Sequence, residues 1–125
     1  MIKLVFCCRR QPEMTREAFQ KRWLEVHGPL VRKLREQIPS MRRYVQSHSL
    51  PDEVSEAVRG PRGALEAFDG ITEVWFDDLE SLGGGAADDG GEAARAAAMR
   101  LLEDEAEFLD LARCHVFLTE EHEIF

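Results

Sequence analysis

The sequence predicts a single α+β domain with the element order βαββαβ. Short runs that are apolar or alternate in polarity lie near both ends and in the middle of the chain. Two longer stretches carry apolar residues at helical spacing, and turn or breaker residues separate the segments. At 125 residues the chain is long enough for one hydrophobic core and too short for two.

Ile2-Lys3-Leu4-Val5-Phe6-Cys7-Cys8 is a near-continuous apolar run, as expected of a strand covered on both faces, and Arg9-Arg10-Gln11-Pro12 ends it. Thr15 is a good N-cap and Glu17 suits the positive end of a helix dipole, so a helix is expected from about Arg16 to Gln37, with Pro39 closing it. Pro29 has no N–H to offer the Glu25 carbonyl. With Gly28 it should kink this helix directly beside His27.

Arg42 to Ser49 reads as a second strand, with Tyr44, Gln46 and His48 on one face and Arg43, Val45 and Ser47 on the other. Leu50 to Phe68, interrupted by Pro51, Gly60, Pro61 and Gly63, reads as an excursion with a little helix. Asp69-Gly70 is a turn signal. Ile71 to Asp77 follows as a third strand, carrying Glu73 and Trp75 on one face and Thr72, Val74 and Phe76 on the other.

Gly83 to Gly91 reads by composition as a flexible loop. It has two aspartates and no Lys-Ser/Thr, so it is a poor phosphate cradle. A second helix, about Glu92 to Leu109, should bury Ala98, Leu101, Leu102, Phe108 and Leu109. Cys114 to Thr119 is the last strand and Glu120 to Phe125 a polar tail.

This order is that of the split βαβ, or ferredoxin-like, arrangement. It has a four-stranded antiparallel sheet, and right-handed crossovers put both helices on one face. The strands read as apolar on both faces, so one sheet face needs cover that the chain does not provide. A second copy packed sheet to sheet supplies it, and a homodimer is expected.

Phe19-x3-Trp23-x3-His27 holds the candidate chemistry. Each i to i+4 step drifts only about 40° round a helix, so the three rings share one face, extended by Val26, Leu30, Val31 and Leu34. The imidazole is aimed into apolar surroundings, either as a hydrogen-bonded core histidine or as the centre of a pocket.

With 24 acidic against 16 basic residues the formal charge is −8, which argues against nucleic acid or an anionic membrane as partner. The basic residues crowd into the first third, where they read as a solvated face. The first apolar run is too short for a signal peptide, and no segment approaches a membrane span. Cys7, Cys8 and Cys114 are odd in number and two are adjacent, which suits a reducing cytoplasm better than a disulfide framework. His27, His48, His115 and His122 show no ligand spacing, and there is no nucleotide fingerprint. Neither a metal nor another cofactor is expected.

With the strand order in hand, Phe19-x3-Trp23-x3-His27-Gly28-Pro29-Leu30-Val31 resembles the hallmark of the EthD family, named for a gene of ethyl tert-butyl ether degradation. Pro39-x4-Tyr44, Asp69-Gly70-x2-Glu73-x-Trp75-Phe76-Asp77 and Asp104-Glu105-x2-Phe108-x-Asp110 are similar to further family blocks, in the same order and over most of the chain. The resemblance implies the dimeric α+β barrel shared with polyketide cyclases, muconolactone isomerases and small haem-degrading monooxygenases. Some members look like dehydratases or cyclases of aromatic polyketide pathways, others like accessories to oxidative degradation. The long Leu50 to Phe68 excursion and the Gly83 to Gly91 loop depart from the pattern.

The expectation that follows is a cofactor-free enzyme of lyase or isomerase type, moving a proton on a small, largely apolar, oxygenated molecule. His27 is the expected acid–base group and Tyr44 the holder of a carbonyl or oxyanion. Phe19, Trp23, His48, Glu73, Trp75 and His115 are candidates to bind substrate, with Asp69 or Glu73 placed to orient His27. One alternative is a non-catalytic binding or accessory protein of an oxidative pathway in which His27 is structural. A haem-binding oxidoreductase with an axial histidine is the other. A solvent-connected cleft on which His27 and Tyr44 converge favours the enzyme; a cleft filled by side chains favours the accessory.

Overall fold

The computed structural model describes residues 1–82 and 91–125; most of the glycine-rich loop lies outside the described residues. Strand β1 is Ile2–Cys8, β2 Arg43–His48, β3 Gly70–Phe76 and β4 His115–Glu120. They form one antiparallel sheet in the order β2-β3-β1-β4, the ferredoxin-like arrangement. No helix among the described residues is long and apolar enough to cross a membrane.

The register sorts the sheet into two faces. Leu4 stands opposite Val74 and Leu118, and Val74 opposite Tyr44. Phe6, Thr72 and Gln46 align one step along, so these side chains share a face. On β3 that face (Thr72, Val74, Phe76) is buried, whereas Ile71, Glu73 and Trp75 on the other are not.

The helices lie on the buried face. The first is not the continuous, kinked α-helix that its spacing suggests. It runs as α1 Arg16–Arg22, a π turn Trp23–His27, α2 Gly28–Leu34 and a 3₁₀ turn Arg35–Gln37. Proline explains the wide turn. Pro29 cannot close an α-type bond, so the chain opens a turn early and the Gly28 N–H bonds the Trp23 carbonyl, five residues back. Pro29 then sits in the first turn of α2, where no donor is required. Thr15 caps α1 as expected, its hydroxyl accepting from the Ala18 N–H at 3.1 Å.

The excursion holds a short helix, α3 Asp52–Arg59, then a 3₁₀ turn Gly60–Arg62. Gly63 ends it at φ +59°, a left-handed conformation that glycine adopts without strain. None of these residues is buried. A four-residue helix, α4 Leu79–Leu82, precedes the long α5 Gly91–Phe108.

The core has two parts: Cys8, Phe19, Trp23, Phe108 and Leu109 at one end, and Val31, Met41, Val74 and Phe76 at the other. Burial departs from the pattern reading at several positions. Val26, Ala98 and Leu102 are exposed, and the buried residues of α5 are Gly91, Ala97, Asp104 and Phe108. Asp69-Gly70 is not a surface turn either. Gly70 opens β3 beneath the Trp23 indole, where a Cβ would overlap the ring and lie 2.8 Å from the Ser47 carbonyl. Asp69 is buried and accepts from the Arg10 backbone N–H at 2.9 Å, from the Arg10 guanidinium and from Arg16 Nε at 3.3 Å.

Strand β4 is exposed on both faces, with Val116, Phe117 and Leu118 each at least 44% accessible. The tail ends in two apolar side chains, Ile124 and Phe125, both exposed.

Candidate active site

Helix spacing and the π turn together aim three rings at the sheet. Phe19 and Trp23 pack at 5.3 Å between centroids, Phe19 and Phe108 at 5.7 Å, and His27 and Phe108 at 5.2 Å. All four side chains are buried.

His27 is oriented from α5. Its Nδ1 lies 2.8 Å from Asp104 Oδ2, and Arg22 Nη2 donates to the other carboxylate oxygen at 2.6 Å. Burial pushes the Asp104 carboxyl up, but hydrogen bonds from His27 and Arg22 and the Arg22 charge outweigh it and hold the group below its ordinary value. An ionised carboxylate only accepts, so Nδ1 must carry the imidazole proton and Nε2 keeps its lone pair. Burial also lowers the His27 pKa, against the opposing pull of Asp104 and with help from the Arg22 and Arg100 charges. His27 is therefore a neutral base of fixed tautomer at pH 7. Asp69 and Glu73 do not orient it: Asp69 is held by Arg10 and Arg16, and Glu73 pairs with Lys3 at 2.8 Å.

Tyr44 reaches the same space from β2. Gln46 Nε2 donates to the Tyr44 hydroxyl oxygen at 3.2 Å and to the Trp23 carbonyl at 3.0 Å, tying the sheet to the π turn. Gln46 Oε1 then accepts from His48 Nε2 at 2.8 Å. Burial raises the Tyr44 pKa, with hydrogen bonds to Gln46, Thr72 and Trp23 pulling the other way, so the phenol stays protonated and can donate.

A cavity of about 650 Å³ opens between the sheet and the helices. Trp23, His27, Tyr44, Thr72, Glu105 and Phe108 line it, among aliphatic side chains of both layers. The size suits a small organic ligand, and the mostly apolar wall with few polar groups is typical of such sites. Glu105 has no hydrogen-bond or ion-pair partner among the described residues. Burial, and then the neighbouring Asp104 charge, raise its pKa to about 7.

The structure thus brings together His27, Tyr44 and Trp23. Phe19 is packed behind Trp23 in the core. His48 stacks on the indole at 4.4 Å and does not line the cavity. Glu73, Trp75 and His115 lie on the opposite sheet face. There Trp75 donates to Glu121 at 2.6 Å beneath Arg43 and Lys3, and His115 packs edge-on to Phe68. Asp104 on His27, Gln46 on Tyr44 and Glu105 on the cavity wall are contacts that the sequence reading does not single out. A signal for Asp104 exists, since Ala97, Leu101, Asp104 and Phe108 keep 3–4 spacing and the acid takes an apolar stripe position. No cluster of histidine, cysteine or acidic side chains among the described residues is arranged to hold a metal ion.

The model of the EthD domain matches residues 11–112. The chain belongs to the EthD family. Its fold is similar to that of an ethyl tert-butyl ether degradation (EthD) family protein from Bacillus halodurans C-125, at 24% identity, 98% and 99% coverage of this chain and that one, and a TM-score of 0.59. It is also similar to a dimeric ferredoxin-like protein of unknown function from Bacteroides fragilis NCTC 9343 (12% identity, 96% and 95% coverage, TM-score 0.58). A third, described in the same terms, is from Thermobifida fusca YX (18% identity, 96% and 90% coverage, TM-score 0.56). Among curated proteins, none matches. At these identities the likenesses carry the EthD chain's fold and not its reaction.

Proposed function

We propose that this EthD protein is a homodimeric, cofactor-independent enzyme that moves a proton on a small, apolar, oxygenated molecule. The observation that carries this reading is the Asp104–His27 pair, which holds a neutral imidazole on the wall of an open cavity, with no partner at Nε2 among the described residues. His27 removes a proton from a carbon next to a carbonyl, and Tyr44 donates its hydroxyl proton to the oxygen on which charge develops. An unfilled cavity favours a turnover or binding role over a purely structural histidine. The second copy is supported by the exposed apolar side chains of β4 and by dimeric proteins of the same fold. Three free thiols suit a cytoplasmic setting.

The test is exchange of the protons next to the carbonyl of α-tetralone, a flat apolar ketone, for solvent deuterium, followed by proton NMR. The native protein should accelerate exchange over buffer, and His27→Gln should remove about 10²–10⁴-fold of that acceleration while staying folded. Equal rates in the two proteins would contradict the proposal.

A further inference from the structure

A second cleft, of about 310 Å³, opens at the end of β1 and shares no lining residue with the cavity beside His27. Arg9, Arg10 and Arg16 from the first third of the chain meet in it with Arg113 from just before β4. Four guanidinium groups thus gather at one place on a chain whose formal charge is −8. Backbone carbonyls hold three of them. Arg10 Nε donates to the Met14 carbonyl at 2.9 Å, Arg16 Nη1 to the Leu50 carbonyl at 3.3 Å and Arg9 Nη1 to the Ala67 carbonyl at 2.8 Å. The Arg9 guanidinium also lies 4.1 Å from the centre of the Phe68 ring.

Carboxylates account for only part of this charge. Buried Asp69 takes Arg10 and Arg16, and exposed Asp52 takes Arg16 as well, at 2.9 Å. Arg9 is half-buried, yet no carboxylate among the described residues pairs with it, and Arg113 has only Asp110, at 3.7 Å. Glu66, the remaining carboxylate on the wall, is exposed and pairs with none of the four. A guanidinium withdrawn from water without a counter-charge is costly. Its planar fork matches the oxygens of a carboxylate or a phosphate.

We propose that this cleft is an oxyanion site, which takes the phosphate or carboxylate group of a small molecule on Arg9 and Arg113. Arg9 offers Nε and Nη2, which bond no described residue, on a group already oriented by the Ala67 carbonyl and the Phe68 ring. Arg113 adds an exposed charge. Arg10 and Arg16 are committed to Asp69 and strengthen the field without binding. Glu66 opposes the anion and limits its affinity. The volume, at the small end for small-molecule sites, leaves room for a few atoms beyond the charged group. Asp52, Glu66 and the carbonyls of Leu50 and Ala67 all belong to the excursion, the segment that departs from the EthD pattern. The proposal is independent of the reaction at His27.

Proton–nitrogen NMR of the arginine Nε–H groups tests it, with inorganic phosphate or acetate titrated into the native protein against chloride at equal ionic strength. At least one of the two should shift the Arg9 signal along a saturating curve that chloride does not reproduce. The tighter of them gives the class of the bound group. Arg9→Gln should weaken binding about 10-fold or more, read from the remaining arginine signals. Arg113→Gln, on an exposed side chain whose loss spares the fold, should weaken it about 3-fold, and Glu66→Gln should strengthen it by about as much. Shifts that do not saturate, or a curve unchanged in Arg113→Gln, would overturn the site. So would silence toward both anions, including the case in which a carboxylate of a second copy already fills the cleft.

Discussion

Asp104 holds His27 directly, and Gly70 leaves room for the Trp23 indole one turn before it. Gly70→Ala puts a methyl group into the buried Trp23 indole and 2.8 Å from the Ser47 backbone carbonyl. Overpacking of this kind costs about 1–3 kcal/mol or more, and urea unfolding should show at least that loss. The histidine itself is legible in the sequence, since Phe19, Trp23 and His27 recur every fourth residue. Its partner is harder to identify, because 77 residues separate His27 from Asp104 and only the packing of α5 on the π turn unites them. Asp69 shows the reverse error. Asp-Gly before a strand ordinarily marks a turn, and the arginines that bury this one come from a distant stretch of chain.

At the scale of elements, the strands were readable to within a residue or so because alternation and β-branched or aromatic residues coincide. The π turn was not, since Pro29 signals a missing bond without saying how the helix absorbs it. Restoring the donor tests the explanation. Pro29→Ala permits the α-type bond to the Glu25 carbonyl, and the turn then loses its cause. Helix content by circular dichroism should be unchanged, while exchange into α-tetralone falls as His27 turns away from Asp104. Unchanged exchange would mean that the turn is set by packing and not by the proline. Leu50 to Phe68 offered no periodic pattern strong enough to fix its place, and its short helix stays on the surface.

For the whole molecule, the fold followed from element order, whereas the assignment of residues to the cavity depended on which sheet face the helices cover. Glu73, Trp75 and His115 alternate onto the uncovered face, so they belong to the surface expected to meet a second copy. Light scattering should give a dimer at micromolar concentration, and Phe117→Glu, which puts a charge on exposed β4, should shift it toward monomer. Stability should also depend on pH through Glu105. Its folded pKa of about 7 lies above the ordinary 4.5, so the stability it contributes is complete below pH 4.5 and is lost as pH rises through 7. Glu105→Gln removes that loss. The variant should gain on the order of 2 kcal/mol relative to the native protein at pH 8 and little at pH 4. Folding of the whole chain also brings the His27 imidazole and the Tyr44 phenol to one cavity, with Asp104 holding the imidazole from behind, and nitrogen-15 NMR of the histidines reads that arrangement directly. His27 should appear as the neutral Nδ1–H tautomer and titrate below the ordinary 6.5, with the tautomer preference lost in Asp104→Asn. A native His27 protonated on Nε2, or charged at pH 7, would contradict the account.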